Sequence, residues 1–352
     1  MDKEFCMIKV LKIHTNEPEP EYICIAAEAL RQGKLVAFPT ETVYGLGANA
    51  LDARAVARIF QAKGRPNYDP LIVHIAETSW LPRAVSEIPL IAWRLAEAFW
   101  PGPLTLILPK RSDVPNLVTA GLETVALRVP AHPVALALLK AADVLVAAPS
   151  ANRFGHTSPT CAEHVLSDLG NRIDILLDGG KTHIGIESTV LDLTSSIPTI
   201  LRPGGVTQEQ LTKLLGDVAV QSCVKANEIH KSPGQLQQHY SPRAKLIYLL
   251  GPPCQAALDL LCQISQDEIK RGHRVGLLIL DEDLPTFTDL SVWVATLGSG
   301  NDLWQAASRL YAAMRSLDEQ NVDVILVRDL GEHGPGLAIR DRLERAATKI
   351  VR

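Results

Sequence analysis

Six short polar clusters interrupt a chain that is otherwise rich in aliphatic residues. They are Pro39-Thr40-Glu41-Thr42-Val43-Tyr44-Gly45; Lys63-Gly64-Arg65-Pro66, running on to Asp69-Pro70 and His74; Pro149-Ser150-Ala151-Asn152; Ser158-Pro159-Thr160; Glu187-Ser188-Thr189; and Arg202-Pro203-Gly204-Gly205. The chemistry they suit is polyphosphate binding. Lys63 and Arg65 are two cations on a short turn stiffened by Gly and Pro, and each charge-assisted bond to a phosphate is worth about 1.5–3 kcal/mol, with bidentate geometry added by Arg. Ser150, Asn152 and Ser158 supply neutral donors, and Arg202 and Arg128 further positive charge. Arg128 lies inside the apolar run Val125 to Val129, so it needs a partner, either a carboxylate or a ligand.

Taken singly, the same residues admit plainer readings. Lys63 and Arg65 also fit solvated side chains favoured by a helix C-terminal dipole. Ser158 fits an N-cap with Pro159 at the first helical position, and Ser150 and Asn152 fit turn formers. His74 shares a strand face with Ile72 and Ala76 and reads as a hydrogen-bonded core histidine. Glu41 and Glu187 specify no metal site by their spacing and read as surface or turn carboxylates. Two nucleotide signatures nearly form. Gly180-Lys181-Thr182 resembles a Walker A ending, but the first glycine position falls at Ile175, within a strand. Gly45-Leu46-Gly47-Ala48-Asn49-Ala50 fits G-x-G-x-x-A, but the preceding strand stops at Pro39, too early for a dinucleotide turn.

The elements that must position these groups are short. Helices are predicted at Glu21 to Gln32, Ala53 to Lys63 with Gly64 as C-cap, Ile91 to Phe99, Pro133 to Lys140, and Cys161 to Leu169 with a Thr160/Glu163 capping box. Strands are predicted at Leu35 to Phe38, Leu71 to Ile75, Leu104 to Leu108, Val125 to Val129, Val144 to Ala148, Ile173 to Leu177, Val190 to Leu193 and Thr199 to Leu201. Nearly continuous apolar strands mixed with helices imply an α/β sheet covered on at least one face, and ligands gather outside strand ends in such sheets. Periodicity is poorest from about Gly204 to Pro242, which predicts a linker. Beyond it, strands at Lys245 to Leu250, Val275 to Leu280, Val292 to Thr296 and Val322 to Val327 enclose helices within Gln255 to Arg271 and at Leu303 to Gln320. That order reads as a smaller, Rossmann-like, doubly wound domain.

With 352 residues, 47% hydrophobic and 21% charged, the chain is long enough for two domains and unlike a disordered one. A net charge of −4 argues against a general nucleic-acid coat, though a local basic pocket remains open. The six cysteines form no C-x-x-C, which excludes zinc ribbons. The charged start and the lack of a long apolar run predict a soluble, cytoplasmic protein with no membrane partner.

Read together and in order, the motifs resemble the YrdC-like family, in particular its longer two-domain L-threonylcarbamoyladenylate synthases. Phe38 to Gly47, Lys63 to Pro66, Pro70 to His74, Trp100-Pro101-Gly102-Pro103-Leu104-Thr105, Ala148 to Asn152, Glu187 to Thr189, Leu201 to Gly204 and His239-Tyr240-Ser241-Pro242 carry the resemblance across essentially the whole chain. Each motif is weak alone, but the ordered set is specific. The resemblance implies a YrdC-like catalytic domain at 1–207, a twisted mixed sheet with helices, then a linker acting as a lid at 208–243 and the Rossmann-like domain at 244–352. It implies that L-threonine, bicarbonate or CO2, and ATP with Mg2+ yield threonylcarbamoyladenylate and pyrophosphate. A separate transferase complex would then carry the threonylcarbamoyl group to tRNA.

By the same resemblance Lys63, Arg65, Ser150 and Asn152 would form the catalytic tetrad. Asp69, Thr124, Ser158, Arg202 and Tyr240 would join the tetrad in holding ATP, with Tyr240 closing over it. Thr42, His74, Arg128, Ala148 and Ser188 would hold threonine, and no protein metal ligand is specified. Two rival readings remain: an RNA-binding module of the same fold, which the overall charge disfavours, and a carbamoyl-transfer maturation factor, whose cysteine-rich zinc modules are lacking here.

Overall fold

The computed structural model describes residues 8–221 and 239–352. The described chain divides into two compact units. The first holds most residues up to the linker region; the second holds 239–352 together with the short segments Gly155–Thr157 and Ile184–Ile186.

The first unit is built on eleven strands: β1 (Lys9–Lys12), β2 (Val36–Phe38), β3 (Gly45–Asn49), β4 (Ile72–His74), β5 (Leu104–Pro109), β6 (Thr124–Arg128), β7 (Val146–Ala147), β8 (Ile175–Asp178), β9 (Thr189–Asp192), β10 (Thr199–Arg202) and β11 (Ala219–Val220). Their order across the sheet is β1-β8-β2-β3-β7-β4-β6-β5-β9-β10-β11. The pairing is mixed: β1 and β2 run parallel to β8, and β4 parallel to β6, whereas β2–β3, β3–β7 and β5–β6 are antiparallel. Alternation along β2 shows why it lies in the middle. Val36 and Phe38 join one apolar cluster with helices α1 (Pro20–Arg31) and α5 (Pro133–Ala142), while Ala37 joins the other, with α2 (Ala53–Lys63) and α3 (Leu90–Phe99). Both faces are therefore covered, which explains strands without polar alternation.

Two expectations need correction. The capping box at Thr160/Glu163 does not form: α6 (Ala162–Leu169) has Cys161 at its N-cap with no side-chain cap, and the Thr160 N–H donates to His164 Nδ1 at 3.2 Å. Residues 208–221, read as the start of a linker, belong to the first unit. They carry α7 (Gln208–Leu215), closed by a reciprocal capping box between Thr207 and Gln210, and then β11, which pairs with β10. Weak periodicity hid a helix whose T-x-x-Q start signal was present in the sequence. Of the rest of that predicted linker, 222–238, with Pro233-Gly234 and the glutamine run, lies outside the described residues, and 239–243 belong to the second unit.

The second unit is an all-parallel sheet in the order β14 (Trp293–Thr296), β13 (Val275–Ile279), β15 (Val324–Arg328), β12 (Lys245–Leu249), β16 (Lys349–Val351). Helices α8 (Gln255–Lys270), α9 (Leu303–Glu319) and α10 (Gly336–Ala346) connect its strands. The last helix and strand escaped the sequence reading. No helix among the described residues is long and apolar enough to cross a membrane.

Candidate active site

Helix α2 delivers the first two cations. Asp52 caps its start, accepting from the N–H groups of Arg54 (2.8 Å) and Ala55 (3.3 Å). Gly64 ends it with φ 64°, a left-handed conformation that costs glycine little. The Arg65 N–H then donates back to the Phe60 carbonyl at 3.0 Å. This turn leaves Lys63 and Arg65 only 3% and 6% exposed, so they are not solvated helix-end residues.

Lys63 Nζ donates to the carbonyls of Ser150 and Asn152, both at 2.5 Å. Burial pushes its pKa well below the ordinary lysine value, and repulsion from Arg65 adds to this, against the pull of Asp168 and Asp69. Arg65 pairs with Asp69 at 2.8 Å, donates to the Pro70 carbonyl at 2.8 Å, and sits with Cζ 5.9 Å from the centre of the Phe154 ring. The K-x-R and S-x-N motifs, which the resemblance paired, therefore meet through Lys63.

The loop after β2 builds the neighbouring cluster. The Thr40 hydroxyl accepts from the N–H groups of Thr42 and Val43 and donates to the Val43 carbonyl, a side-chain turn that fixes Glu41 and Thr42. Arg128 Nη1 donates to Thr42 Oγ1 at 3.0 Å and its Nε to the Gly102 carbonyl at 3.2 Å. Its charge partner is Glu41, with Oε1 2.6 Å from Nη2. Glu41 is thus buried, not a surface carboxylate. Glu187 is likewise buried and accepts from Ser158 Oγ at 2.5 Å, which removes the N-cap reading of Ser158.

Arg202 Nη2 donates to the Ser188 carbonyl (2.9 Å) and to its hydroxyl (3.2 Å), and Ser188 Oγ lies 2.7 Å from Thr105 Oγ1. Backbone bonds tie the loops together. The Ala151 N–H donates to the Tyr44 carbonyl, and the Leu46 N–H to the Pro149 carbonyl, both at 2.8 Å. The Ala148 N–H donates to the Ile72 carbonyl at 2.9 Å.

His74 stands directly beside Arg128 in the β4–β6 register. Burial, reinforced by Arg128, pushes its pKa down to about 3, against backbone hydrogen bonding at Ile72 and Val146. His132, buried at the start of α5, is pushed down to about 4 by burial against an opposing pull from Glu41. Both imidazoles are held neutral, whereas the unfolded chain takes up protons below about pH 6.5. Their stabilisation is complete above that pH and is lost as pH falls toward 4 and then 3. We expect the melting temperature to fall between pH 6.5 and 4, and to fall less steeply in His74→Gln.

Thr124 opens β6 at the end opposite Arg128, about 13 Å along the strand. Tyr240 belongs to the second unit, where it is buried with φ 64° against Arg342 and Tyr311. The sequence reading missed Phe154, which no motif announces, a role for Thr105, although it ends the Trp100–Thr105 motif, and the burial of Glu41 and Glu187, which their place inside the two loops could have signalled.

Gly204 fits only because it lacks a side chain. A Cβ there would lie 2.3 Å from the Glu187 carbonyl oxygen and 2.5 Å from Thr189 N. Gly204→Ala should cost about 1–3 kcal/mol, read as a lower melting temperature, because the obstacle is backbone that cannot rotate away.

A family profile described as "Telomere recombination" matches residues 28–204, and one described as "Threonylcarbamoyl-AMP synthase, C-terminal domain" matches 206–348. Threonylcarbamoyl-AMP synthase of Pyrococcus abyssi is 45% identical over 329 residues, 92% of this chain and 94% of the relative. The chain belongs to the threonylcarbamoyl-AMP synthase family. The Bacillus subtilis member is 46% identical over 96% of this chain and 95% of its own. The crystal structure of P. abyssi Sua5 complexed with L-threonine superposes with a TM-score of 0.90 at 42% identity, covering 97% of this chain and 99% of that one. A shorter family member, the putative threonylcarbamoyl-AMP synthase of Mycobacterium tuberculosis, is 39% identical over 55% of this chain, yet that stretch is 89% of its own length. The two-domain α/β architecture and the YrdC-like character of the first unit, expected from the ordered motifs, are those of this family.

Proposed function

We propose that the chain condenses L-threonine, CO2 or bicarbonate, and ATP into threonylcarbamoyl-AMP and pyrophosphate, for later transfer of the threonylcarbamoyl group to tRNA by a separate complex. One observation carries this reading: two buried cationic centres in the first unit, Lys63 with Arg65 at the end of α2 and Arg128 with Thr42 at the end of β6, bond to two loops that backbone hydrogen bonds join, Lys63 to the Ser150 carbonyl and Arg128 to Thr42. P. abyssi Sua5 takes L-threonine, and on this reading Arg128, a buried guanidinium, takes the substrate carboxylate. Lys63 and Arg65 then face the triphosphate, with Ser150, Asn152, Ser158 and Arg202 beside them. A phosphate arriving at Lys63 favours its charged form, reversing the effect of burial.

The amine attacks CO2 and the resulting carbamate oxygen attacks the α-phosphorus. Lys63 and Arg65 stabilise the charge that builds on the phosphate oxygens. No protein nucleophile is required, and alignment alone removes about 7–11 kcal/mol of the barrier. Mg2+ arriving with ATP would be held chiefly by triphosphate oxygens and water. When bound there, the ion supplies further charge neutralisation.

Incubating the purified chain with labelled bicarbonate, L-threonine and ATP should place label in an adenylate, with one pyrophosphate released per adenylate. Pyrophosphate release that ignores threonine would overturn the reading. So would salt-sensitive RNA binding without turnover.

A further inference from the structure

Glu41 has no substrate role in the scheme above, yet its surroundings are those of a group awaiting one. Its side chain is 9% exposed and that of Arg128 4%. Although Oε1 approaches Nη2 to 2.6 Å, neither Glu41 oxygen accepts a hydrogen bond and Nη2 donates none. A buried carboxylate ordinarily accepts several. The other two guanidinium nitrogens are committed, Nη1 to Thr42 and Nε to Gly102. The side of Arg128 left for a substrate carboxylate is therefore the side where Glu41 stands. An α-amino acid carries its ammonium on the carbon next to its carboxylate, so an amino acid seated on Arg128 brings that ammonium to Glu41. The charges alternate in the right order: guanidinium, substrate carboxylate, substrate ammonium, protein carboxylate.

We propose that Glu41 receives the α-ammonium of the amino-acid substrate and accepts one of its protons, freeing the amine to attack CO2. This rests on the synthase reading above. An N–H bond of the ammonium breaks and its proton passes to a Glu41 oxygen. The lone pair left on nitrogen forms the N–C bond as one C–O π pair of CO2 moves onto oxygen. The nitrogen then sheds a second proton to solvent, giving the carbamate anion, and Glu41 returns its own proton to solvent between turnovers. Charged or titratable groups facing Glu41 are Arg128 from β6 and His132 from the start of α5; His74 on β4 meets it through Arg128. Both imidazoles are held neutral above about pH 4, so they add no titration to the neutral range.

The test compares the full-length protein with Glu41→Gln and Glu41→Asp, using two probes: L-threonine and 2,3-dihydroxybutanoate, in which a hydroxyl replaces the amine. By calorimetry the wild type should bind threonine at least about tenfold more tightly than the hydroxy acid, the worth of one charge-assisted contact. Glu41→Gln should bring that ratio near one, and Glu41→Asp should keep most of it. Turnover of Glu41→Gln should drop about 10²–10⁴-fold, and its rate should climb with pH where the wild type is level. If Glu41→Gln weakens or tightens both probes by the same factor, Glu41 is only a counterion or a competitor at Arg128, and the proposal fails. A wild type that binds both probes equally overturns it without any variant. A wild type that binds threonine selectively but forms no adenylate leaves the ammonium contact standing and removes the synthase reading instead.

Discussion

Lys63→Met is expected to slow threonine-dependent pyrophosphate release by about 10²–10³-fold, the range seen when one donor to a developing oxyanion is removed. The side chain is buried and its ammonium holds the Ser150 and Asn152 carbonyls together. Methionine keeps most of the aliphatic stem and removes a charge whose burial is costly. Against that gain, two carbonyls lose their donor, at about 1–3 kcal/mol for each one left unsatisfied. Stability should therefore change far less than rate. A methionine variant with a rate within threefold of the wild type would remove Lys63 from the chemistry, whatever its melting temperature.

Arg128→Met should do the opposite in part: it abolishes measurable threonine binding and also destabilises the fold. Removing the guanidinium strands Glu41 as a buried carboxylate, and breaking a buried pair from one side costs about 3–5 kcal/mol. The double variant Glu41→Met/Arg128→Met separates the two effects. It should recover most of the lost stability, because an apolar pair of similar volume replaces a buried ion pair at little net cost. It should not recover threonine binding. Recovery of both in the double variant would mean that Arg128 serves the fold alone.

How far the site was legible in the sequence depended on what each residue was tied to. Lys63, Gly64 and Arg65 were readable because the helix end is locally encoded: the periodicity stops, a glycine follows, and two cations flank it. The same logic placed α2 at Ala53–Lys63 without adjustment. Arg128 was readable as a charge that required a partner, but not the identity of that partner. Glu41 lies far away in sequence, and only the sheet order, which sets β6 three strands from β3, brings them together. Glu187 was misread for the same reason, since its partner Ser158 is supplied by another loop. Short strands such as β7 were overextended because apolar residues continue past the last ladder bond. Helix α7 was missed because only Leu211 on it is fully buried, so its apolar stripe is faint.

The parallel pairing of β1 with β8 also bears on how the chain matures during synthesis. Lys9 finds its partner in Ile175, roughly 160 residues later, which at about 5–20 residues per second means a wait of some 8–30 s on the ribosome. Throughout that interval the nascent segment must avoid pairing with a stranger. Lys9 and Lys12 stay solvent-facing even in the finished protein, with Leu11 the one buried side chain of the four. Such lysines discourage edge-to-edge association, so the segment that docks late is also one poorly suited to aggregate while it waits.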